Sequence, residues 1–245
     1  MKPFRPFLFF SLLLLVSSCA DKVKEATHGE FPDLDVRAKG ERRHYRLYVP
    51  ESVDLGQPAP LLVAFHGLGI DSKDLMPLYS GLNDLADAKG LIVVYPASLG
   101  DSWGLNGSQT AKDVAFFDVL MDVIGETYKI DDHRIYLTGM SNGAYFAHEL
   151  ARQRSHQVAA VAAHSGILGL ETALGINSPR KYPVLLLHGK DDPLFDISLA
   201  VNDSTRYANE GHEVDLIRMD GLGHEWGSAF SVNDSIWTFL ESNPL

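Results

Sequence analysis

Cysteine is nearly absent: Cys19 is the only one among 245 residues. No internal disulfide can form in the folded body, so stability must come from packing, and a thiol nucleophile is excluded. Basic residues are also few, 21 Lys plus Arg against 32 Asp plus Glu, for a formal charge of -11. Nucleic-acid binding needs a basic footprint, which this composition does not supply, and a strongly anionic polymer is a poor substrate for so acidic a chain. The motifs of two cofactor classes are missing. His224-Glu225 lacks the second histidine of an H-E-x-x-H zinc site because Ser228 stands in its place, and no G-x-G-x-x-G loop is present. Neither a metal nor a dinucleotide cofactor is expected. The N-terminal apolar stretch, Phe7 to Val16, is too short to span a bilayer as a helix.

That stretch follows Lys2 and Arg5 and has the layout of an export signal. It ends in Val16-Ser17-Ser18-Cys19, which resembles the lipobox of bacterial lipoproteins. The resemblance implies cleavage before Cys19, lipidation of that cysteine, and attachment to a membrane through acyl chains. Ala20, in place of Asp, follows the cysteine and points by the same resemblance to the outer membrane. Removing residues 1–18 takes away two basic and no acidic residues, leaving 19 against 32, a charge of -13. Residues 19–40 read as the anchor site and a polar, flexible tether. Residues 41–245 read as one catalytic domain, with nothing in composition or length to mark a second.

Within that body, Arg42 to Pro50 alternates like a half-buried strand, while Pro60 to Phe65 and Leu91 to Tyr95 are continuously apolar, as buried parallel strands are. Further strands are predicted at Arg134 to Thr138, Val158 to Ala163, Pro183 to Leu187 and Val214 to Met219. Helices are predicted at Ser72 to Ala88, with Leu75, Leu78, Leu82 and Leu85 at helical spacing, and at Asp113 to Tyr128, Ser141 to Arg152, Leu199 to Asn209 and Val232 to Glu241. Strands alternating with amphipathic helices specify a doubly wound, mostly parallel α/β sheet with its site at the carboxyl ends of the strands.

One pentapeptide sits at such an end. Gly139-Met140-Ser141-Asn142-Gly143 is a G-x-S-x-G turn between the strand ending at Thr138 and a helix, the context in which a serine is presented as a nucleophile. A serine hydroxyl needs a base, and the base needs an orienting carboxylate. Of His188, His212 and His224, the last lies in the glycine-rich loop Gly221 to Gly227, after the last strand, and is the candidate base. His188 ends a strand and is expected to brace the acid loop, and His212 to be a solvated turn residue. Asp191 and Asp192 both lie in the loop after His188, spacing alone does not separate them, and Asp196 is a weaker third choice. The tetrahedral intermediate also needs donors for its oxyanion. The backbone N–H of Asn142 is one, and that of Leu68 in Phe65-His66-Gly67-Leu68-Gly69 is the other, with His66 a structural hydrogen-bonding residue. Ser165, in His164-Ser165-Gly166, follows a strand with no amphipathic helix after it and is assigned to pocket lining.

Together, Phe65-His66-Gly67, the stretch Asp113 to Phe117, the Met140-Ser141-Asn142 elbow, His188-Gly189 with Asp192-Pro193, and Gly223-His224-Glu225-Trp226 resemble the esterase and polyhydroxybutyrate depolymerase branch of the α/β-hydrolases, which also holds feruloyl and acetylxylan esterases. The resemblance covers about Arg43 to the C-terminal helix. It implies an α/β-hydrolase fold, Ser141 as nucleophile, Asp192 as acid and His224 as base. It also brings Trp103 near the cleft, so that Trp103 and Trp226 are candidates for stacking on a feruloyl ring or a sugar. The segment between Ala163 and Pro183 is short for a large lid, which argues against a lipase.

The expected function is hydrolysis of carboxylic esters through an acyl-enzyme without a cofactor, first on feruloyl or acetyl esters of plant polysaccharide fragments. The alternatives are short hydroxyalkanoate oligomers, peptides, or a non-catalytic carbohydrate-binding lipoprotein.

Overall fold

The computed structural model describes residues 25–69, 72–104, 107–169, 175–227 and 231–245. The export signal and Cys19 lie outside the described residues. Among the described residues, eight strands form one sheet: β1 (Gly29–Ala38), β2 (Glu41–Val49), β3 (Ala59–Phe65), β4 (Ile92–Pro96), β5 (Ile130–Met140), β6 (Ala160–His164), β7 (Val184–Gly189) and β8 (Val214–Met219). Their order is β1-β2-β4-β3-β5-β6-β7-β8. Pairing is antiparallel for β1 with β2 and β2 with β4, and parallel from β4 through β8.

The continuous apolar runs of the central strands are explained by burial on both faces. In β3, Leu61, Val63 and Phe65 point into one core layer, while Leu62 and Ala64 point into the other. The first layer is closed by α3 (Gly107–Thr127) and α4 (Asn142–Gln153), the second by α1 (Ser72–Ser80), α2 (Leu82–Lys89) and α6 (Val232–Glu241). Helix α5 (Ile197–Asn209) adds Tyr207 to the first layer. Each fully buried aliphatic side chain contributes about 1.5–3 kcal/mol, which is how a body without disulfides is held. Among the described residues no helix is long and apolar enough to cross a membrane.

Two expectations are corrected. The segment expected to be tether up to residue 40 contains β1. Its exposed polar residues, Glu30, Asp33 and Arg37, disguise it, because an edge strand keeps water on one side. Pairing with β2 holds it in place, Val36 and Ala38 enter the core, and buried Asp35 accepts from Arg42 at 2.6 Å. The single helix expected at Ser72 to Ala88 is two helices, broken at Gly81, whose φ of 63° leaves the helical region. The break turns α1 so that Met76 is buried and Leu75 and Leu78 are 55% and 79% exposed.

The parallel registers bring the strand ends level. Phe65 pairs with Gly139, Met140 with His164, and His164 with Leu187, so His66, Ser141, Ser165 and His188 emerge side by side at one edge of the sheet.

Candidate active site

Strand β5 delivers Ser141 into a turn with φ 55° and ψ -118°, a conformation L-residues adopt only where surroundings enforce it. Three glycines do the enforcing. A Cβ on Gly139 would lie 2.6 Å from the carbonyl carbon of Gly143, and one on Gly143 would lie 2.1 Å from the Phe65 carbonyl oxygen. The third, Gly166, follows Ser165 and would place a Cβ 2.9 Å from the Ser141 carbonyl oxygen. The Ser141 N–H donates to the His164 carbonyl at 2.9 Å, tying the elbow to the neighbouring strand.

Asp192 and His224 meet across a second close approach. A Cβ on Gly189 would lie 2.2 Å from the Leu222 carbonyl oxygen, and the Asp191 N–H donates to that carbonyl at 3.0 Å, so the ends of β7 and β8 run in contact. His224 Nδ1 then donates to Asp192 Oδ2 at 2.7 Å, while Asp192 Oδ1 accepts the backbone N–H groups of Leu194 at 2.8 Å and Phe195 at 3.0 Å. Burial alone would raise the Asp192 carboxyl, but the Phe195 N–H, His224 and the Leu194 N–H together hold it below the ordinary carboxylate range. Asp191 is exposed, and Asp196 caps α5 by accepting from the Ser198 N–H at 2.9 Å. Buried His188 donates from Nε2 to the Phe195 carbonyl at 2.8 Å and lies 3.5 Å from Asp192 Oδ2, bracing the acid loop.

Ser141 and His224 line one cleft of about 1060 Å³. Its walls are mainly apolar: Leu68, Leu75, Tyr79, Tyr145, Ile167, Leu194, Phe195 and Trp226, with Glu225 the acidic exception. Leu68 is 71% exposed at the rim, on the loop that carries one candidate oxyanion donor. That loop abuts the elbow, since a Cβ on Gly67 would lie 3.7 Å from the Ser141 Cβ. Its His66 is held as a single tautomer: the Ser98 N–H donates to Nε2 at 3.1 Å, so Nδ1 carries the proton and donates to the Gly67 carbonyl at 2.6 Å. This last bond orients the peptide plane whose N–H belongs to Leu68. Burial lowers the His66 pKa, which keeps the ring neutral for this double duty.

Three assignments change. Trp103 does not line the cleft; it is fully buried, stacked on Phe146 at 4.9 Å and edge-on to Phe65 at 5.1 Å. Trp103 is drawn inward because the N–H of the next residue, Gly104, donates to buried Asp113, which is itself paired with buried Arg43 at 2.8 Å. Ser165 is likewise buried and accepts from His164 Nδ1 at 3.0 Å instead of lining the cleft. His212 is not solvated but packed between Tyr182 and Tyr207. Trp226 does reach the cleft; its ring stacks on His164 at 5.0 Å and its Nε1 donates to Asn233 at 3.0 Å.

Sequence reasoning overlooked His164. Its Nε2 accepts the Gly227 N–H at 3.2 Å, so one ring supports both the turn after β6 and the loop of His224. Burial, reinforced by nearby His188 and His224, lowers its pKa to about 3 and keeps it neutral. No motif announces such a residue, because its partners come from separate segments. Among the described residues no group of three or more His, Cys, Asp or Glu side chains could hold a metal ion.

Residues 109–240 match the phospholipase/carboxylesterase family. Among curated proteins, the chain is 30% identical over 184 residues to a bifunctional acetylxylan esterase/xylanase of Neocallimastix patriciarum, covering 72% of this chain and 25% of that protein. It is 30% identical over 171 residues to feruloyl esterase D of Neurospora crassa, covering 65% of this chain and 57% of that one. The chain thus spans from a quarter to somewhat over half of their lengths. Its fold is shared with a ferulic acid esterase from Anaeromyces mucronatus solved with ferulic acid, at TM-score 0.66 and 16% identity over 90% of this chain and 92% of that one.

Proposed function

Because the chain belongs to the phospholipase/carboxylesterase family and has the α/β-hydrolase fold, we propose that it is a serine hydrolase of carboxylic esters. The observation that carries this reading is the 2.7 Å bond from His224 to Asp192 beside a strained serine on the same cleft. With Nδ1 committed to Asp192, Nε2 is the nitrogen that takes the Ser141 hydroxyl proton. The Ser141 oxygen then attacks the ester carbonyl carbon, and the C=O electron pair moves onto oxygen. The backbone N–H groups of Leu68 and Asn142 stabilise that oxyanion. Collapse breaks the bond to the alcohol oxygen, which takes the proton from His224. Water, deprotonated by the same imidazole, releases the acid and restores Ser141.

For the acyl group, the apolar cleft with its four aromatic side chains favours a hydroxycinnamoyl group such as feruloyl over acetyl, which would leave most of about 1060 Å³ unfilled. The name of one relative, feruloyl esterase D, supports the feruloyl choice, while that of the other, an acetylxylan esterase/xylanase, supports acetyl, so both acyl groups belong in the test. The test is a panel of methyl ferulate, acetylated xylo-oligosaccharides, hydroxybutyrate oligomers and peptide anilides, with Ser141→Ala as control. Highest kcat/KM on the ferulate is expected; preference for hydroxybutyrate would overturn the acyl choice, and cleavage of peptides alone would overturn the esterase reading.

We also propose that the protein is exported and anchored at Cys19, on the strength of Lys2, Arg5, the apolar stretch and Ser17-Ser18-Cys19. Mass spectrometry of the mature N-terminus should find a lipidated cysteine. An unmodified N-terminus beginning elsewhere would refute it.

A further inference from the structure

Buried Trp103 lies between the two segments that carry the oxyanion donors and is bonded to both. Its indole Nε1 donates to the His66 carbonyl at 3.0 Å, on the loop of Leu68. Its backbone N–H donates to Asn142 Oδ1 at 2.7 Å, and its carbonyl accepts from Asn142 Nδ2 at 3.5 Å, at the start of α4. The next residue is fixed from behind: the Gly104 N–H donates to Asp113 at 2.7 Å, and a Cβ there would lie 2.3 Å from the Thr110 nitrogen.

We propose that Trp103 is a positioning residue that holds the Leu68 and Asn142 backbone donors in fixed relation, by one bond from its indole and two from its main chain. The inference rests on the ester-hydrolase reading. Two donors on different elements stabilise an oxyanion only while both keep their aim, and displacement of the order of 1 Å costs about a hundredfold in rate. The oxygen held by Trp103 belongs to His66, one peptide upstream of the Gly67–Leu68 plane. Asn142 serves the site twice, its N–H facing the reaction and its side chain locked to Trp103. The indole ring lies flat against Phe146, at an interplanar angle of 4°, which gives the clamp a rigid support in α4.

The test is Trp103→Phe, which keeps an aromatic ring against Phe146 and Phe65 but removes the indole N–H. Per phosphonate-titrated active site, kcat should fall about tenfold to a hundredfold while KM changes less than about twofold. Affinity for a trifluoromethyl ketone, which forms an anionic tetrahedral adduct with a serine, should fall in parallel with kcat. Asn142→Ala, which removes the main-chain tether and leaves the Asn142 N–H, should give the same split, and it carries the test if Trp103→Phe does not fold. The double variant should lose less than the product of the two single losses, because both substitutions loosen one unit. Wild-type kcat per titrated site in the folded variants would overturn the proposal, as would a loss confined to KM. A wild-type protein inert towards every ester and towards the phosphonate would instead overturn the ester reading on which it rests.

Discussion

Asp192 and Asp191 differ by one position and by everything that matters chemically. Asp192 is buried with both oxygens bonded, whereas Asp191 contributes its backbone N–H to the contact with Leu222 and leaves its carboxylate exposed. Asp192→Asn should lower kcat about 10⁴-fold by losing the charge and the tautomer control that His224 depends on. Asp191→Asn should stay within about twofold of wild type, as surface changes do. Ester hydrolysis measured on both variants checks the pair, and the reverse ranking would sink the assignment. The pKa of Asp192 is depressed, so its stabilisation is present above the unfolded carboxylate value near 3.9 and is lost only as pH falls through the lower folded value.

Among the elements, the contact between the first turn of α4 and the end of β3 decides whether the elbow exists. Gly143 permits that contact, and its absent Cβ would fall 2.1 Å and 2.4 Å from two successive carbonyl oxygens, those of Phe65 and His66. Gly143→Ala must therefore push α4 away from the sheet, at a cost of about 1–3 kcal/mol for overpacking. For a domain of this size that corresponds to a fall in Tm of roughly 2–4 °C per kcal/mol. Phosphonate labelling of Ser141 should drop further than the stability loss accounts for, because the same shift moves Asn142, the proposed oxyanion donor. Unchanged labelling with unchanged Tm would show that the contact is slack. The pentapeptide made this helix start legible, whereas β1 was hidden by its edge-strand polarity and the break at Gly81 by an apolar pattern that runs on through it.

The whole molecule carries buried histidines as a fixed sensitivity to acid. His148 is fully buried, its Nδ1 hydrogen-bonded to the Tyr207 hydroxyl at 2.8 Å, and burial lowers its pKa to about 4. His164 is lowered to about 3, and burial also lowers His66 and His212. In the unfolded chain a histidine takes up a proton as pH falls through about 6.5, while these stay neutral in the fold. The unfolded state then binds more protons, so stability is lost downward from about pH 6.5. At pH 5 the loss approaches about 2 kcal/mol for each histidine that remains fully neutral. Calorimetry at pH 7 and pH 5 should show a clear fall in Tm at the lower pH, and a smaller fall for His148→Gln. A flat profile would contradict the burial of these rings.

The sequence by itself determined the sheet core, the helix after the elbow, the serine turn and the histidine loop, because each is written in local periodicity or in a short run of glycines. Residue spacing left Asp191 and Asp192 open and only the resemblance pointed to Asp192, the aspartate the tertiary structure places against His224; tertiary structure alone decided why Trp103 and Ser165 point inward, and how His66, His164 and Asn142 hold the site. Those roles are hydrogen bonds between residues 32 to 63 positions apart, from Asp192 to His224, from His66 to Trp103, from Trp103 to Asn142 and from His164 to Gly227. Such a bond depends on where two backbones pass in space, and parallel strand registers and close glycine contacts set that only after the chain has folded.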